Sequence, residues 1–200
     1  MTMTADDITE LFTRPDGSFL CARWGRPVAP VIFGLADETL DIFRTVIKAG
    51  FAHAGHPVTD TDPEMGSNLM LFFMRDWDEM EAIPDLEHLT GIEGLPARLK
   101  DSQADQYRVF RFDGDGAIRA CLGFIRLTGA LAQAHPAQLA EALTMRSTLT
   151  FARDITPSSE LAALIRVAYN PILPAAATDP SYALRLAARL AQTETKGTPQ

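Results

Sequence analysis

The alternation of apolar and polar positions divides the 200-residue chain into a succession of elements. "PDGS" at 15–18 has the composition of a tight turn, and "FLCARW" after it reads as an extended segment. Beyond Pro27 and Pro30, the apolar run "VIFGL" (Val31–Leu35) predicts a buried strand. The longest periodic pattern follows: Leu40, Phe43, Val46, Ile47, Phe51 and Ala54 recur at three- and four-residue steps. Asp37 is placed to cap this helix, and Gly55 with Pro57 to stop it. "NLMLFFM" (Asn68–Met74) is apolar almost throughout, as suits a strand covered on both faces. Asp76 then caps a short helical turn, "WDEMEAI", ended by Pro84. Gly91, Gly94 and Pro96 break the next stretch into short pieces, of which "PARLKDSQ" is read as helical.

"QYRVFRF", "DGDG" and "AIRACLGFIRL" in succession predict an antiparallel hairpin, the Asp-Gly steps supplying the positive φ of a tight turn. On its second strand Ile118, Ala120, Leu122 and Phe124 share the more apolar face, and Cys121 falls on the other beside Arg119. Three helices follow, opening at Pro136, at Thr156-Pro157 and at Asp179-Pro180. The expectation is one α+β domain over residues 1–192, with a polar, disordered tail at 193–200. It has a mixed sheet, the Asp37–Ala54 helix packed across one face, and a helical C-terminal third. Asn68–Met74 and Ala117–Leu127 should share that sheet, leaving Phe43, Ile47 and Phe51 buried under the helix.

Charge narrows the partners. Eighteen basic against 26 acidic residues leave a net charge of -8, which repels nucleic-acid backbones and anionic membranes, and the arginines are scattered singly. "MTMTADDITELF" lacks the basic and apolar regions of a secretory signal, and the longest apolar run, Leu69–Met74, is too short to span a bilayer. A cytoplasmic location is expected, with Cys21 and Cys121 as free thiols.

The stretch "FAHAGHPVTDTDPEMG" (Phe51–Gly66) carries the one candidate metal set: His53, His56, Asp60, Asp62 and Glu64. Histidines three apart can share a helix face, and a carboxylate could complete a zinc site. The same residues also describe a helix stop at Gly55 running into a solvated acidic loop, and that reading is preferred. "FDGDG" (Phe112–Gly116) spaces aspartates as calcium loops do, without their further ligands, and is read as the hairpin turn. The chain has no Gly-x-Ser-x-Gly elbow and no phosphate-cradling glycine loop.

Taken in order, "RWGRPV" (Arg23–Val28), the second apolar strand, the hairpin, "LAEALTM" (Leu139–Met145) and "LAALIRVAYNPILP" (Leu161–Pro174) resemble a family of uncharacterised proteobacterial proteins with a zincin-like layout. The likeness spans residues 22–175. In zincins the helix after the hairpin carries His-Glu-x-x-His, which binds zinc and activates water. Here that stretch aligns with Glu141-Ala-Leu-Thr-Met145, so the resemblance implies the scaffold without its metal chemistry. Three functional readings follow. The first is a non-catalytic zincin-like domain, without cofactor, that binds a peptide or protein partner. The second is a metal-dependent hydrolase using His53, His56 and the nearby carboxylates. The third is a structural homo-oligomer.

Overall fold

The computed structural model describes residues 3–196. Thr4 and Asp7 exchange reciprocal hydrogen bonds that cap α1 (Ala5–Phe12), whose Ile8 and Phe12 are fully buried. Then come β1 (Cys21–Ala22), β2 (Pro30–Phe33), α2 (Asp37–Ala54) and β3 (Leu69–Met74). A 3-10 helix (Trp77–Ala82), capped by Asp76, leads to α3 (Leu86–Thr90) and α4 (Leu95–Asp101). The hairpin is β4 (Gln106–Phe112) and β5 (Ile118–Arg126). The chain closes with α5 (Gly129–Gln133), α6 (Pro136–Thr148), α7 (Ser159–Ala168), β6 (Ala176–Ala177) and α8 (Tyr182–Lys196).

The main sheet has the order β2-β3-β5-β4: β2, β3 and β5 run parallel, and β4 pairs antiparallel with β5. It is the mixed sheet of an α+β fold, with β3 and β5 as its central, adjacent strands. Leu69, Leu71, Phe73, Cys121 and Ile125 face the larger core, which includes side chains of α2 and α6. Phe43, Ile47 and Phe51 of α2 are buried there as the periodicity requires, and Phe43 meets Phe73 edge-on with ring centroids 5.1 Å apart. On the opposite face Met74, Leu122 and Phe124 pack with Trp77, Met80, Leu95 and Leu99. With a layer on either side, β5 is buried on both faces, so the Cys121 side is no less enclosed than the side taken as its core face.

Close approaches at two glycines fix how α2 is entered and packed. Gly34 leaves β2 with φ +84°, and a Cβ there would stand 1.9 Å from the Phe73 carbonyl oxygen. Gly50, inside α2, faces α6, where a Cβ would come within 2.6 Å of Thr144 Cγ2. Boundaries differ from the sequence expectation in a few places. Ala36, not Asp37, occupies the N-cap of α2, and Asp37 contributes its charge from the first turn instead. Ser158 rather than Thr156 caps α7 through the Leu161 amide. The expected extended segment after the first turn keeps only two residues as β1, paired with β6. α8 runs to Lys196, beyond the start of the expected tail, and residues 197–200 of that tail lie outside the described residues. No helix among the described residues is long and apolar enough to cross a membrane.

Candidate functional site

The residues singled out between Phe51 and Gly66 occupy separate environments. Gly55 ends α2 in the left-handed conformation, φ +75°, and turns the chain between the two histidines. His53 is exposed, its Nε2 lying 2.9 Å from the Ala162 carbonyl of α7. His56 is partly buried, with Nε2 2.8 Å from the Arg26 carbonyl and its ring against Tyr169. Burial lowers the pKa of His56 below the usual imidazole value.

Asp62, expected to face solvent, is instead buried at 3% exposure, because its carboxylate organises the turn around it. Oδ1 accepts the Glu64 and Met65 amides at 2.9 and 2.8 Å, and Oδ2 accepts Asn68 Nδ2 at 3.0 Å. Burial works to raise this carboxyl group, but those bonds and the Arg26 charge hold it below the ordinary value. Glu64 pairs with Arg26 at 3.0 Å and Arg119 at 2.9 Å, and Arg26 also holds Asp113 of the hairpin turn at 2.7 Å. Asp60 is exposed. Among the described residues, no three His, Cys, Asp or Glu side chains gather as metal ligands do.

A different constellation forms where α6 ends over the edge of the sheet. On β4 the alternation places Gln106, Arg108 and Phe110 on the side of the larger core, and β4 is the last strand, paired only with β5. Between this strand, the C-terminal half of α6 and the segment from Thr150 to Asp154 opens a cleft of about 530 Å³. That volume falls within the range of small-ligand sites. Arg14, Arg108, Arg146 and Arg153 all line it, against Asp154 as the single carboxylate. In a chain of net charge -8, this is a strong local reversal of sign.

Arg108 ties the strand to the helix end. Its Nη1 donates to the Arg146 carbonyl in the last turn of α6, and its Nη2 to the Phe151 carbonyl at 2.8 Å. The Arg146 carbonyl has no partner in the helical ladder, and the helix dipole favours a cation beside it. The guanidinium also lies 5.0 Å from the centre of the Phe110 ring. Burial pushes the pKa of Arg108 down to about 10, and the neighbouring Arg146 charge adds to the effect. Arg108 is nevertheless charged at neutral pH. Arg146, also lowered by burial, donates Nη1 to Gln106 Oε1 at 2.7 Å and turns Nη2 to Asp154. Its Nε is buried with no hydrogen-bond partner. Arg153 spends Nε on the Glu10 carbonyl, 3.0 Å away in the last turn of α1.

The chemistry available is recognition of an anion. Cys121 lies on the same face of the sheet but is fully buried, and burial pushes its thiol up to about 11, so it is no nucleophile at neutral pH. Glu141 of α6 is exposed, and Ser147 turns its hydroxyl back to the Leu143 carbonyl at 2.7 Å. Reading the arginines as scattered singles missed this site. The usable signal was Arg108, a charge two residues from Phe110 on the inward side of its strand. The chain matches no known family model, no curated protein and no solved structure.

Proposed function

We propose that this chain is a non-catalytic binding domain that takes an extended peptide segment of a protein partner along β4, in the cleft beside α6. One observation carries the reading: a seven-residue edge strand, hydrogen-bonded on one side only, borders a cleft large enough to receive side chains. Strand addition supplies main-chain hydrogen bonds for affinity, and pockets beside the edge supply selectivity. The zincin-like layout belongs to the same proposal, with α6 as the helix that would carry zinc ligands. Here the aligned positions are Glu141, which is exposed, and Met145, so the scaffold serves recognition rather than hydrolysis. The setting proposed is the cytosol, where Cys21 and Cys121, both buried and unpaired, stay reduced.

Display of random peptides against the full-length chain, followed by amide exchange with a selected peptide, tests this. Slowed exchange in residues 106–112 and 150–154 is the expected outcome. Selection of no peptide, or protection confined to other segments, would remove the proposal.

A further inference from the structure

Resting on the edge-strand reading above, we infer that the peptide is anchored by a carboxylate, which takes the Nε–Nη2 edge of Arg146 over from Asp154. The guanidinium of Arg146 is oriented before any ligand arrives. Nη1 is fixed on Gln106 Oε1 at 2.7 Å, and the side chain is 17% exposed. Nη2 faces Asp154 while Nε, on the same edge of the guanidinium plane, has no partner. A carboxylate accepting side-on from Nε and Nη2 makes the paired, parallel bonds that arginine forms best. It would also satisfy a buried donor that otherwise goes unpaired. The Asp154 side chain is 94% exposed, so it can swing away without uncovering any packed surface.

The surroundings favour an anion over a neutral group. Arg108 spends its two terminal nitrogens on the carbonyls of Arg146 and Phe151, and Arg153 spends Nε on the carbonyl of Glu10. Carbonyls hold these guanidinium groups in place but leave their charge uncompensated. An arriving carboxylate relieves the repulsion between Arg108 and Arg146, which is strongest where water is displaced. The strand period sets the form of the ligand. Gln106, Arg108 and Phe110 face the cleft at two-residue spacing, while Tyr107 and Val109 lie on the other face of the sheet. A matching peptide therefore alternates acidic and apolar residues.

Fluorescence anisotropy on the full chain tests this with a labelled octapeptide of alternating glutamate and valine. Controls are the glutamine–valine analogue, the same glutamates and valines arranged as two blocks, and forms with a free or an amidated C-terminus. The alternating acidic peptide should bind more tightly than the block peptide, and at least ~10-fold more tightly than the glutamine analogue, the value of a charge-assisted bond. Arg146→Lys, which keeps the charge but loses the fork, should weaken it by ~10-fold or more. Asp154→Asn should tighten it by about 2- to 5-fold, the value of an exposed competing ion pair. Loss of binding on amidation assigns the anchor to the chain terminus, and retention assigns it to a side chain. Equal binding of the glutamate and glutamine peptides, both with amidated C-termini, overturns the carboxylate anchor while leaving the edge-strand reading intact. Unchanged or weaker binding by Asp154→Asn, a variant that does not disturb the core, overturns the exchange with Asp154. No binding by any of these peptides, with β4 amides exchanging freely, overturns both.

Discussion

Replacing Phe51 by alanine tests the packing that places the cleft. Phe51 is fully buried on the inner face of α2 and meets the Trp24 ring edge-on, with centroids 6.1 Å apart at 88°. Trp24 in turn donates its indole N–H to the Ser147 carbonyl at 2.7 Å, so this aromatic pair links α2 to the C-terminal end of α6. Truncating a buried phenylalanine costs roughly 3–5 kcal/mol, the sum of lost transfer energy and the cavity left behind. Phe51→Leu, which keeps most of the volume, should cost about 1.5 kcal/mol or less. The edge-on contact with Trp24 accounts for about 0.5–1.5 kcal/mol of what either variant loses. For a chain of this size about 2–4 °C of melting temperature accompany each kcal/mol, so Phe51→Ala should melt roughly 6–20 °C lower. Urea unfolding followed by circular dichroism and by tryptophan fluorescence reads both variants. Ile172→Ala, at a residue 78% exposed, is the control and should stay within about 0.5 kcal/mol of the parent. A Phe51→Ala midpoint as close to the parent as that of the control would show that α2 does not pack through this face.

Three further outcomes follow from individual contacts. Gly50→Ala should destabilise by about 1–3 kcal/mol through its clash with Thr144 Cγ2, although alanine is about 1 kcal/mol better than glycine in a helix. Adding Thr144→Ser, which removes that methyl group, should restore most of the loss, and a Gly50→Ala protein more stable than the parent would refute close α2–α6 packing. Asp62 is depressed in the folded chain, so its contribution is full above the unfolded carboxyl value of about 4 and is lost as pH falls through the folded value. Asp62→Asn should flatten the acid limb of stability against pH, and an unaltered limb would show the turn does not depend on that charge. His56 is also depressed, so the native state resists its protonation and stability should fall as pH drops below about 6.5 towards the folded value. Urea midpoints at pH 7 and pH 5.5 should differ more for the parent than for His56→Gln, and equal differences would exclude the imidazole as the cause.

The parts of the fold legible in the sequence are those whose burial is written in a single period. α2 shows its inner face at Phe43, Ile47 and Phe51, and its end at Gly55, because one continuous stripe packs on one core. β3 reads as doubly covered because both its faces are apolar, and layers cover both. The hairpin was legible from its Asp-Gly turn. What escaped was set by partners distant in the chain. The two-residue β1 exists only because β6, more than 150 residues on, lies alongside it: Cys21 pairs with Ala177. β5 looked one-sided because its second face carries Cys121 and Gly123, and the glycine is needed where a Cβ would stand 2.8 Å from Leu71 Cδ2.

The cleft was the least legible feature for the same reason, and the reason bears on what the arginines are for. Arg14, Arg108, Arg146 and Arg153 come from a turn, a strand, a helix and a loop, and apart from Arg108 each alone reads as an ordinary surface charge. They meet only because β5 pairs with β3, which leaves β4 at the edge and brings the end of α6 over it. Inward charges on an edge strand can also serve as protection against pairing with another chain. Protection, however, requires only that a charge sit where a foreign strand would have to bury it. It gives no reason to fix Arg108 on two carbonyls, to lock one end of Arg146 on Gln106, and to leave the other end facing a solvent-exposed aspartate with Nε unpaired. Holding a guanidinium still costs side-chain entropy, and a purely protective arginine gains nothing from it. A site built to accept a carboxylate gains directly, because a donor held in place loses less freedom when the ligand arrives.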